Sequence, residues 1–322
     1  MTADLVSRPK AELHCHSDGL LDPAMARTLD PTDQGASLAD ELARCYPIRS
    51  IGEWAEGYDR ILDRFLEAEP KRLLGTILSQ VERWRSQHAV YAELFVSRVT
   101  LGIQDEGALV EWFRTLRSLL DAGMVTPRVN LVACIGRGPS DRLARQSTRI
   151  GRLVKLGLIT GVAYAGNELA CSVKENRHHF DQFHEWGLGI EIHAGEVGGP
   201  ESVRDALDFG HPGRLGHGVR AFEDEGLVDR LREESVHLEF CPTSNVRLGV
   251  VSSVADLPIR RALDAGVPFS INTDDPGVFG CSLTSEIMLV RDQFEITDQE
   301  LDRVDRATMA AAFGPVAVTV AP

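Results

Sequence analysis

Eight short apolar runs, separated by longer stretches with helical periodicity, constrain the fold of this 322-residue chain more than any other feature. Each run is rich in apolar, β-branched or aromatic residues and is followed by turn or polar residues, as is typical of buried strands. The predicted strands are residues 11–16, 90–95, 128–135, 159–165, 188–193, 214–217, 236–241 and 268–273. Eight strand–helix units in a chain of this length predict an α/β protein, a single-domain (β/α)8 TIM barrel spanning residues 1–322.

The stretches between the runs have the spacing of helices that pack on a sheet. Ile77, Val81 and Trp84 recur at helical intervals within residues 73–84, and residues 109–120 have a comparable apolar face. These stretches supply the helices that the barrel requires between consecutive parallel strands.

Residues 20–71 lie between the first two predicted strands and are too many for one crossover. We expect extra helices there, covering the mouth of the barrel. Trp54 and Tyr58, one helical turn apart, are candidate lid residues, although ordinary packing between helices explains them equally well.

Composition disfavours several classes of partner. The formal net charge of −14 repels phosphate backbones, so we expect a small-molecule substrate and no nucleic-acid polymer. No uninterrupted apolar run approaches the ~20 residues of a membrane span, and the first residues do not resemble a secretory signal. Six cysteines without Cys-x-x-Cys spacing indicate reduced thiols. These features predict a cytoplasmic protein with no membrane partner and leave its oligomeric state open.

Ligand-type residues follow or end several of the predicted strands. His14 and His16 end the first, where residues two apart face the same side, so that both imidazoles can reach one cation. Such a pair alone is more often two half-exposed surface histidines. His193, His217 and Asp274 hold equivalent positions on the fifth, sixth and eighth strands. Because the carboxyl ends of barrel strands meet on one face, we expect these side chains to form one site.

Three of these four imidazoles, together with the carboxylate, suit a single zinc ion, which activates water for attack at neutral pH. Many barrel hydrolases instead hold two metals bridged by a carboxylated lysine from the fourth strand. In this chain residues 163–168, at the end of that strand, contain no lysine. One metal ion is therefore favoured over a binuclear centre.

Three further residues are placed for acid–base or binding roles. Glu196, three residues beyond His193, could protonate a ring nitrogen of the substrate, or it could be a helix-start glutamate favoured by the helix dipole. His217 could accept the proton of the attacking water, or be a buried structural histidine. Asp275, adjacent to Asp274 but directed differently, could bond a substrate heteroatom.

Six segments, in order, resemble the successive signatures of the adenosine/adenine deaminase family of the metal-dependent amidohydrolase superfamily. They are residues 9–19 (PKAELHCHSDG), 164–168 (YAGNE), 193–196 (HAGE), 215–218 (LGHG), 241–245 (CPTSN) and 270–276 (SINTDDP). The family consists of zinc-dependent (β/α)8 barrels that replace the 6-amino group of a purine with oxygen. The Cys241-Pro242 pair has the wrong order for the other, smaller type of zinc deaminase.

The resemblance implies a hydrolase with one zinc ion per chain and a defined set of site residues. The implied zinc ligands are His14, His16, His193 and Asp274; the catalytic residues are Glu196, His217 and Asp274; the substrate contacts are Asp18, Gly166, Asp275 and His16. Glu196 would donate a proton to purine N1, His217 would be the partner of the attacking water, and Asp275 would contact N7. Gly166 would approach N3 through its backbone, since a residue without Cβ lets the chain come close to a ring.

Asp18 bears on the substrate because the corresponding carboxylate of adenosine deaminases bonds the ribose 5′-hydroxyl, although an Asp before Gly in a turn also has a structural explanation. We therefore expect a purine nucleoside substrate, with adenosine or 2′-deoxyadenosine converted to inosine or 2′-deoxyinosine and ammonia. Ser17, Asn167 and Leu257 depart from residues common in the family, so adenine or an N6- or 5′-modified adenosine is the alternative. A noncatalytic nucleoside-binding protein is a remote alternative, because all the implied ligands and acid–base residues are present.

Overall fold

Eight parallel strands, paired in the order in which they occur in the chain, form the centre of the structure. A computed structural model describes residues 2–29, 40–41, 70–96, 101–122 and 127–314. The strands are β1 Lys10–Glu12, β2 Ala89–Val96, β3 Arg128–Gly136, β4 Gly161–Ala165, β5 Gly189–Ala194, β6 Arg214–His217, β7 His237–Phe240 and β8 Phe269–Ile271. This order, with helices between the strands, confirms the predicted (β/α)8 barrel.

Helices follow or precede each strand of the described part. They are α1 Thr2–Ser7, α2 Pro23–Leu29, α3 Pro70–Ser86, α4 Glu106–Asp121, α5 Ser140–Lys155, α6 Arg177–Glu185, α7 Pro200–Phe209, α8 Glu225–Glu233, α9 Pro242–Arg247, α10 Ile259–Ala265, α11 Pro276–Phe279, α12 Leu283–Phe294 and α13 Asp298–Ala310. Short 3-10 turns occur at Asp18–Leu20, Lys174–Asn176, Val219–Glu223 and Val254–Asp256. The predicted helical stretches 73–84 and 109–120 lie within α3 and α4. The helix α2 is an extra helix before the second strand, as expected, whereas Trp54 and Tyr58 lie outside the described residues.

The helix α4 shows how the sequence specifies these elements. Asp105 caps its first turn, with a side-chain oxygen that accepts from the backbone N–H of Ala108 at 2.6 Å. Leu109, Phe113 and Leu116 then recur at helical spacing and are buried against the sheet. Full burial of a side chain such as Phe113 contributes about 2 kcal/mol, so the apolar face holds the helix in place.

The first strand differs from its predicted extent, because regular pairing of β1 ends at Glu12 instead of His16. Beyond Glu12 the backbone bonds alternately to the strands on either side. The N–H of Asp274 donates to the carbonyl of His14 at 3.0 Å, and the N–H of Phe95 donates to the carbonyl of Cys15 at 2.8 Å. These contacts bring the two ends of the sheet together and hold both histidines at the barrel mouth.

Apolar residues of the described ranges form three buried clusters. The largest lies between strands and helices, the second, inside the barrel, consists of Phe95, Val132, Cys134, Ala163, Ala165 and Phe313, and the third consists of Ala11, Leu13 and Tyr91. Fully buried charged residues accompany the inner cluster, namely Glu93, Glu191, Arg214 and Glu239. Buried charges require partners, so their presence indicates a polar network beneath the site.

Two other observations bear on the sequence-based expectations. No helix of the described residues is long and apolar enough to span a bilayer. The five cysteines within the described ranges are free thiols, and four of them are buried.

Candidate active site

Four side chains from three separate parts of the chain converge at the carboxyl ends of the strands. Nε2 of His16 lies 3.2 Å from Nε2 of His193, and Oδ1 of Asp274 lies 3.5 Å from Nε2 of both His14 and His16. The groups His14, His16, His193 and His14, His217, Asp274 each have ligand atoms within 4.8 Å of one another. Donor atoms so arranged can surround one cation, so the structure brings together the residues that the sequence assigned to a metal site.

The environment of His14 tests whether this cluster suits a metal ion. Its Nδ1 lies 2.7 Å from Oε2 of Glu239, to which the ring N–H can donate, whereas its buried Nε2 has no hydrogen-bond partner. That tautomer directs the Nε2 lone pair toward the other donors. His193 is similar, with Nδ1 2.9 Å from Oε1 of Glu191. A carboxylate behind a ligating imidazole is typical of metal centres, and two of the three candidate imidazoles, His14 and His193, have one, so the residues fit the group.

The charges of the cluster also suit a cation. Burial lowers the pKa of His16 and of His193 well below the usual value, so both rings are neutral, as metal ligands must be. Burial alone would raise the pKa of Asp274, but its contacts with His14, His217 and His16 hold that pKa well below the usual value. Burial would likewise lower the pKa of His14, but the nearby carboxylates of Asp274 and Glu239 raise it. A bound cation would require the neutral form of this ring too.

Two residues of the site have strained backbones. His217 and Asp274 have φ angles of 60° and 62°, in the left-handed region that residues other than glycine seldom adopt. Such conformations cost of order 1–3 kcal/mol and cluster at functional sites. Asp274 is also held by Ser244, whose Oγ donates to Oδ2 at 2.6 Å. Both strained residues are thus members of the donor cluster.

Glu196 and His217 lie next to each other beside the donor cluster. Oε1 of Glu196 is 3.7 Å from Nε2 of His217, and Nδ1 of His217 is 3.1 Å from Nδ2 of Asn245. Burial raises the pKa of Glu196 well above its usual value, and the charges of Asp274 and Glu168 add to this effect. Burial lowers the pKa of His217, which is therefore neutral. The pair presents a protonated carboxyl and a neutral imidazole.

The turn that carries Glu196 is held by Glu168, whose role the sequence did not reveal. The Glu168 carboxylate accepts from the backbone N–H groups of Gly195, Glu196 and Val197 at 2.8–2.9 Å, and from the hydroxyl of Ser202 at 2.5 Å. Four donors satisfy one buried carboxylate, so the position of the turn is fixed. Glu168 is thus a support for Glu196.

Asp275 and Gly19 are in close contact next to Asp274. A Cβ atom on Gly19 would lie 1.7 Å from Oδ1 of Asp275, so only glycine lets these two segments come so close. Burial raises the pKa of Asp275 well above its usual value, and the charges of Asp274 and Asp18 raise it further. Asp275 is therefore a protonated, hydrogen-donating group.

Two rim residues complete the predicted set. Asp18, in the 3-10 turn beside Gly19, is partly exposed, and Oγ of Ser17 donates to its Oδ1 at 3.2 Å. Gly166 is exposed just after β4 with a φ of 96°, a conformation that favours glycine. These residues lie at the mouth and not among the metal ligands.

The sequence analysis also missed Glu191 and Glu239, although a signal was available. Each is a fully buried charged residue within a strand of the barrel. Glu191 is two residues before His193 on β5, so these two side chains lie on the same face of that strand. Glu239, on β7, instead contacts His14, a candidate metal ligand that follows β1. That pairing depends on barrel closure and has no local sequence signature.

Comparison with known proteins agrees with this geometry. The family model described as "Adenosine deaminase" matches residues 9–319. The adenine deaminase of Rhizobium meliloti (strain 1021) is 36% identical over 327 aligned residues, which cover 97% of this chain and 95% of that protein.

Solved structures of similar fold include the N6-mAMP deaminase of Arabidopsis, with a TM-score of 0.81, 24% identity and coverage of 97% of this chain and 95% of that one. An amidohydrolase from Burkholderia ambifaria with bound Zn gives a TM-score of 0.79 and 20% identity, covering 98% of this chain and 88% of that one. At these identities the two structures support the fold alone.

Proposed function

This chain belongs to the adenosine deaminase family and is a hydrolytic deaminase, and from that premise we propose that its principal substrate is the free base adenine. The reaction consumes one water and converts adenine to hypoxanthine and ammonia. The observation that carries the chemistry is the position of Glu196, 3.7 Å from His217 and beside the donor cluster. The similarity over 97% of the chain to a relative named adenine deaminase supports the choice of the base over adenosine.

The donor set His14, His16, His193 and Asp274 would hold one zinc ion, which when bound supplies the activation of water as a nucleophile at neutral pH. The unpartnered Nε2 of His14 and the two neutral imidazoles support this assignment. The similar fold that holds Zn is consistent with it.

The two protonated carboxyl groups match the acceptor pattern of a purine ring. Glu196 donates its proton to N1, which makes C6 more electrophilic as water attacks there. Asp275 donates a hydrogen bond to N7, and the backbone of Gly166 approaches N3. Because N1 and N7 of adenine both lack hydrogen, ionised carboxylates at these positions would repel the ring. The raised pKa values of both groups therefore favour this orientation.

His217 accepts a proton from the attacking water at Nε2. That role requires the hydrogen of the neutral ring to lie on Nδ1. The Nδ1–H of His217 then needs a hydrogen-bond acceptor. The side-chain oxygen of Asn245 is buried without a hydrogen-bond partner, and turning the Asn245 amide by 180° places this oxygen against Nδ1 of His217. Asn245 thus sets the tautomer in which His217 can act as a base.

The choice between base and nucleoside depends on the rim of the site, because the buried residues would meet the purine ring that both substrates share. Glu196, Asp274 and Asp275 would all act at or near the ring, whereas Asp18, the residue implied for a ribose contact, is at the partly exposed rim. The expectation of adenosine, drawn from Asp18, is therefore the second candidate. A modified adenosine, which the sequence analysis grouped with adenine as the alternative to adenosine, is tested in the same screen.

A substrate screen tests the proposal. We expect the zinc-loaded protein to release ammonia from adenine with a kcat/KM at least about tenfold above that for adenosine, 2′-deoxyadenosine, AMP or N6-methyladenosine, since tenfold is the effect of one modest contact of about 1.4 kcal/mol. Glu196→Gln is the blank, and Asp18→Asn is the matched variant for the rim. Fast release from adenosine that is lost in Asp18→Asn would replace adenine by the nucleoside. No release from any purine would overturn the proposal.

A further inference from the structure

The floor of the barrel, at the end opposite to the site, is filled by Phe313 from the segment after α13. Gly161 is the first residue of β4 and Gly189 is the first residue of β5. A Cβ on Gly161 would lie 2.6 Å from the Phe313 ring, and a Cβ on Gly189 would lie 2.1 Å from it. The ring occupies the space that the two missing side chains leave. The chain after the last helix therefore returns into the barrel and packs against Val132 and Ala163.

Backbone groups of this segment bond to buried residues of the strands. The N–H of Phe313 donates to Oε1 of Glu93, and its carbonyl accepts from Nδ2 of Asn130 at 3.0 Å. The carbonyl of Ala311 accepts from Nη1 of Arg214 at 3.0 Å, and the guanidinium carbon of Arg214 lies 3.4 Å from the centroid of the Phe313 ring. Arg214 is thus held both by a hydrogen bond and by stacking.

Arg214 connects this segment to a proposed metal ligand. Its Nη2 donates to Oε2 of Glu93 at 2.6 Å, and its Nε lies 2.5 Å from Oε1 of Glu239. The other oxygen of Glu239 is 2.7 Å from Nδ1 of His14. All of these side chains are fully buried, so removal of Arg214 would leave the Glu239 charge without its guanidinium partner, which is costly in a buried site.

We propose that Arg214 is a positioning residue for the metal centre: held by residues 311–313, it fixes the carboxylate of Glu239, which directs Nε2 of His14 toward the metal. This inference rests on the proposed zinc site. The inference adds that residues 311–313, at the opposite end of the barrel, influence the affinity of that site for zinc. A lysine at 214 could not reproduce the forked contacts and the stacking, since its ammonium is a point charge on a flexible stem.

Zinc affinity and cobalt spectra test the inference without reference to catalysis. The test variants are Arg214→Met and Phe313→Leu in the full chain. Arg260→Met is the matched arginine control, because Arg260 also joins a glutamate, Glu300, to a backbone carbonyl, that of Phe294, but outside the barrel. Phe183→Ala is the control for loss of a buried ring in the outer layer.

We expect the zinc Kd, measured by competition with a chelator, to rise about tenfold or more in both test variants, as for loss of support to a ligating histidine. The visible absorption of the cobalt-substituted protein should change as well, since it reports ligand geometry. The controls should lose thermal stability but keep their Kd within about threefold. Should Arg214→Met fail to fold, Phe313→Leu decides, because it keeps an apolar floor and removes the ring beneath the guanidinium.

Unchanged Kd values and cobalt spectra in folded test variants would overturn the inference. Equal weakening in test and control variants would also overturn it, because the effect would then be general destabilisation. A wild-type protein that binds no zinc would instead contradict the proposed metal site itself. The two failures are therefore distinguishable.

Discussion

The carboxyl group of Glu196 lies 3.7 Å from Nε2 of His217, and the turn that carries it is bonded through backbone N–H groups to Glu168. The acid and the base of the proposed reaction are thus adjacent: Glu196 follows the end of β5 and His217 is the last residue of β6. Burial raises the pKa of the Glu196 carboxyl and lowers the pKa of the His217 imidazole, which favours the proton-donating form of the first and the proton-accepting form of the second.

Glu196→Gln should lower kcat by about 10²–10⁴-fold, because an amide cannot deliver the proton that the ring nitrogen requires. Zinc content and thermal stability should stay close to wild type, since Glu196 is not a metal ligand. Steady-state ammonia release and metal analysis on the same preparation measure both quantities. Near wild-type turnover in this variant would exclude Glu196 as proton donor.

The pH dependence of kcat/KM should show an alkaline limb. Because the pKa of Glu196 is raised, the carboxyl is protonated at neutral pH, and activity should decline as the pH rises through that pKa. The residual activity of Glu196→Gln should lack this limb. An alkaline limb of equal steepness in wild type and variant would assign it to another group.

Glu168→Ala should destabilise the protein by at least about 3 kcal/mol, because three backbone N–H groups lose their charged acceptor. The freed turn should also displace Glu196 and lower kcat/KM by about 10²-fold, the effect of a small misplacement of a catalytic group. Urea unfolding and kinetics measure the two effects. Ser202→Ala, which removes one of the four donors, is the control and should cost about 1 kcal/mol.

Gly19→Ala should impair substrate binding and leave the metal site intact. The new methyl group would lie 1.7 Å from Oδ1 of Asp275, so that carboxyl must move. We expect kcat/KM to fall about 10²-fold with zinc content unchanged. Gly107→Ala, in the first turn of α4, is the control, because its methyl group would meet only the Asp105 side chain at 3.1 Å. Wild-type kinetics for Gly19→Ala would show that the position of Asp275 is not critical.

Glu300 should contribute to stability against acid. Hydrogen bonds from Thr297, followed by Arg260, lower its pKa from 4.5 to about 2. A carboxyl with a lowered pKa in the folded state stabilises the protein above the unfolded value, and this contribution is lost as the pH falls from about 4.5 to about 2. The difference in unfolding free energy between wild type and Glu300→Gln should therefore shrink over that range. A constant difference would mean that the Glu300 charge has no role.

Local patterns were sufficient to predict much of the site. His14, His16, His193, His217 and Asp274 were identifiable because ionisable residues at the ends of apolar strands have no packing role that an apolar residue would not fill better. The extent of β1 was not predictable, because residues 13–16 bond alternately to two strands that are distant in sequence.

The number of strands, the barrel and the residue types at the strand ends follow from the sequence alone, because apolar runs and helical periodicity are local properties of the chain. Which groups support which depends on contacts that form only in the folded protein. Glu239 and His14 are 225 positions apart, and Glu168 and Gly195, in the turn that carries Glu196, are 27 positions apart. Arg214 and Phe313 come from β6 and from the segment after α13. Such pairs arise from closure of the barrel, which places side chains in contact according to strand register and strand direction. Register and direction cannot be inferred from the residues of one segment, because both depend on the neighbouring strands.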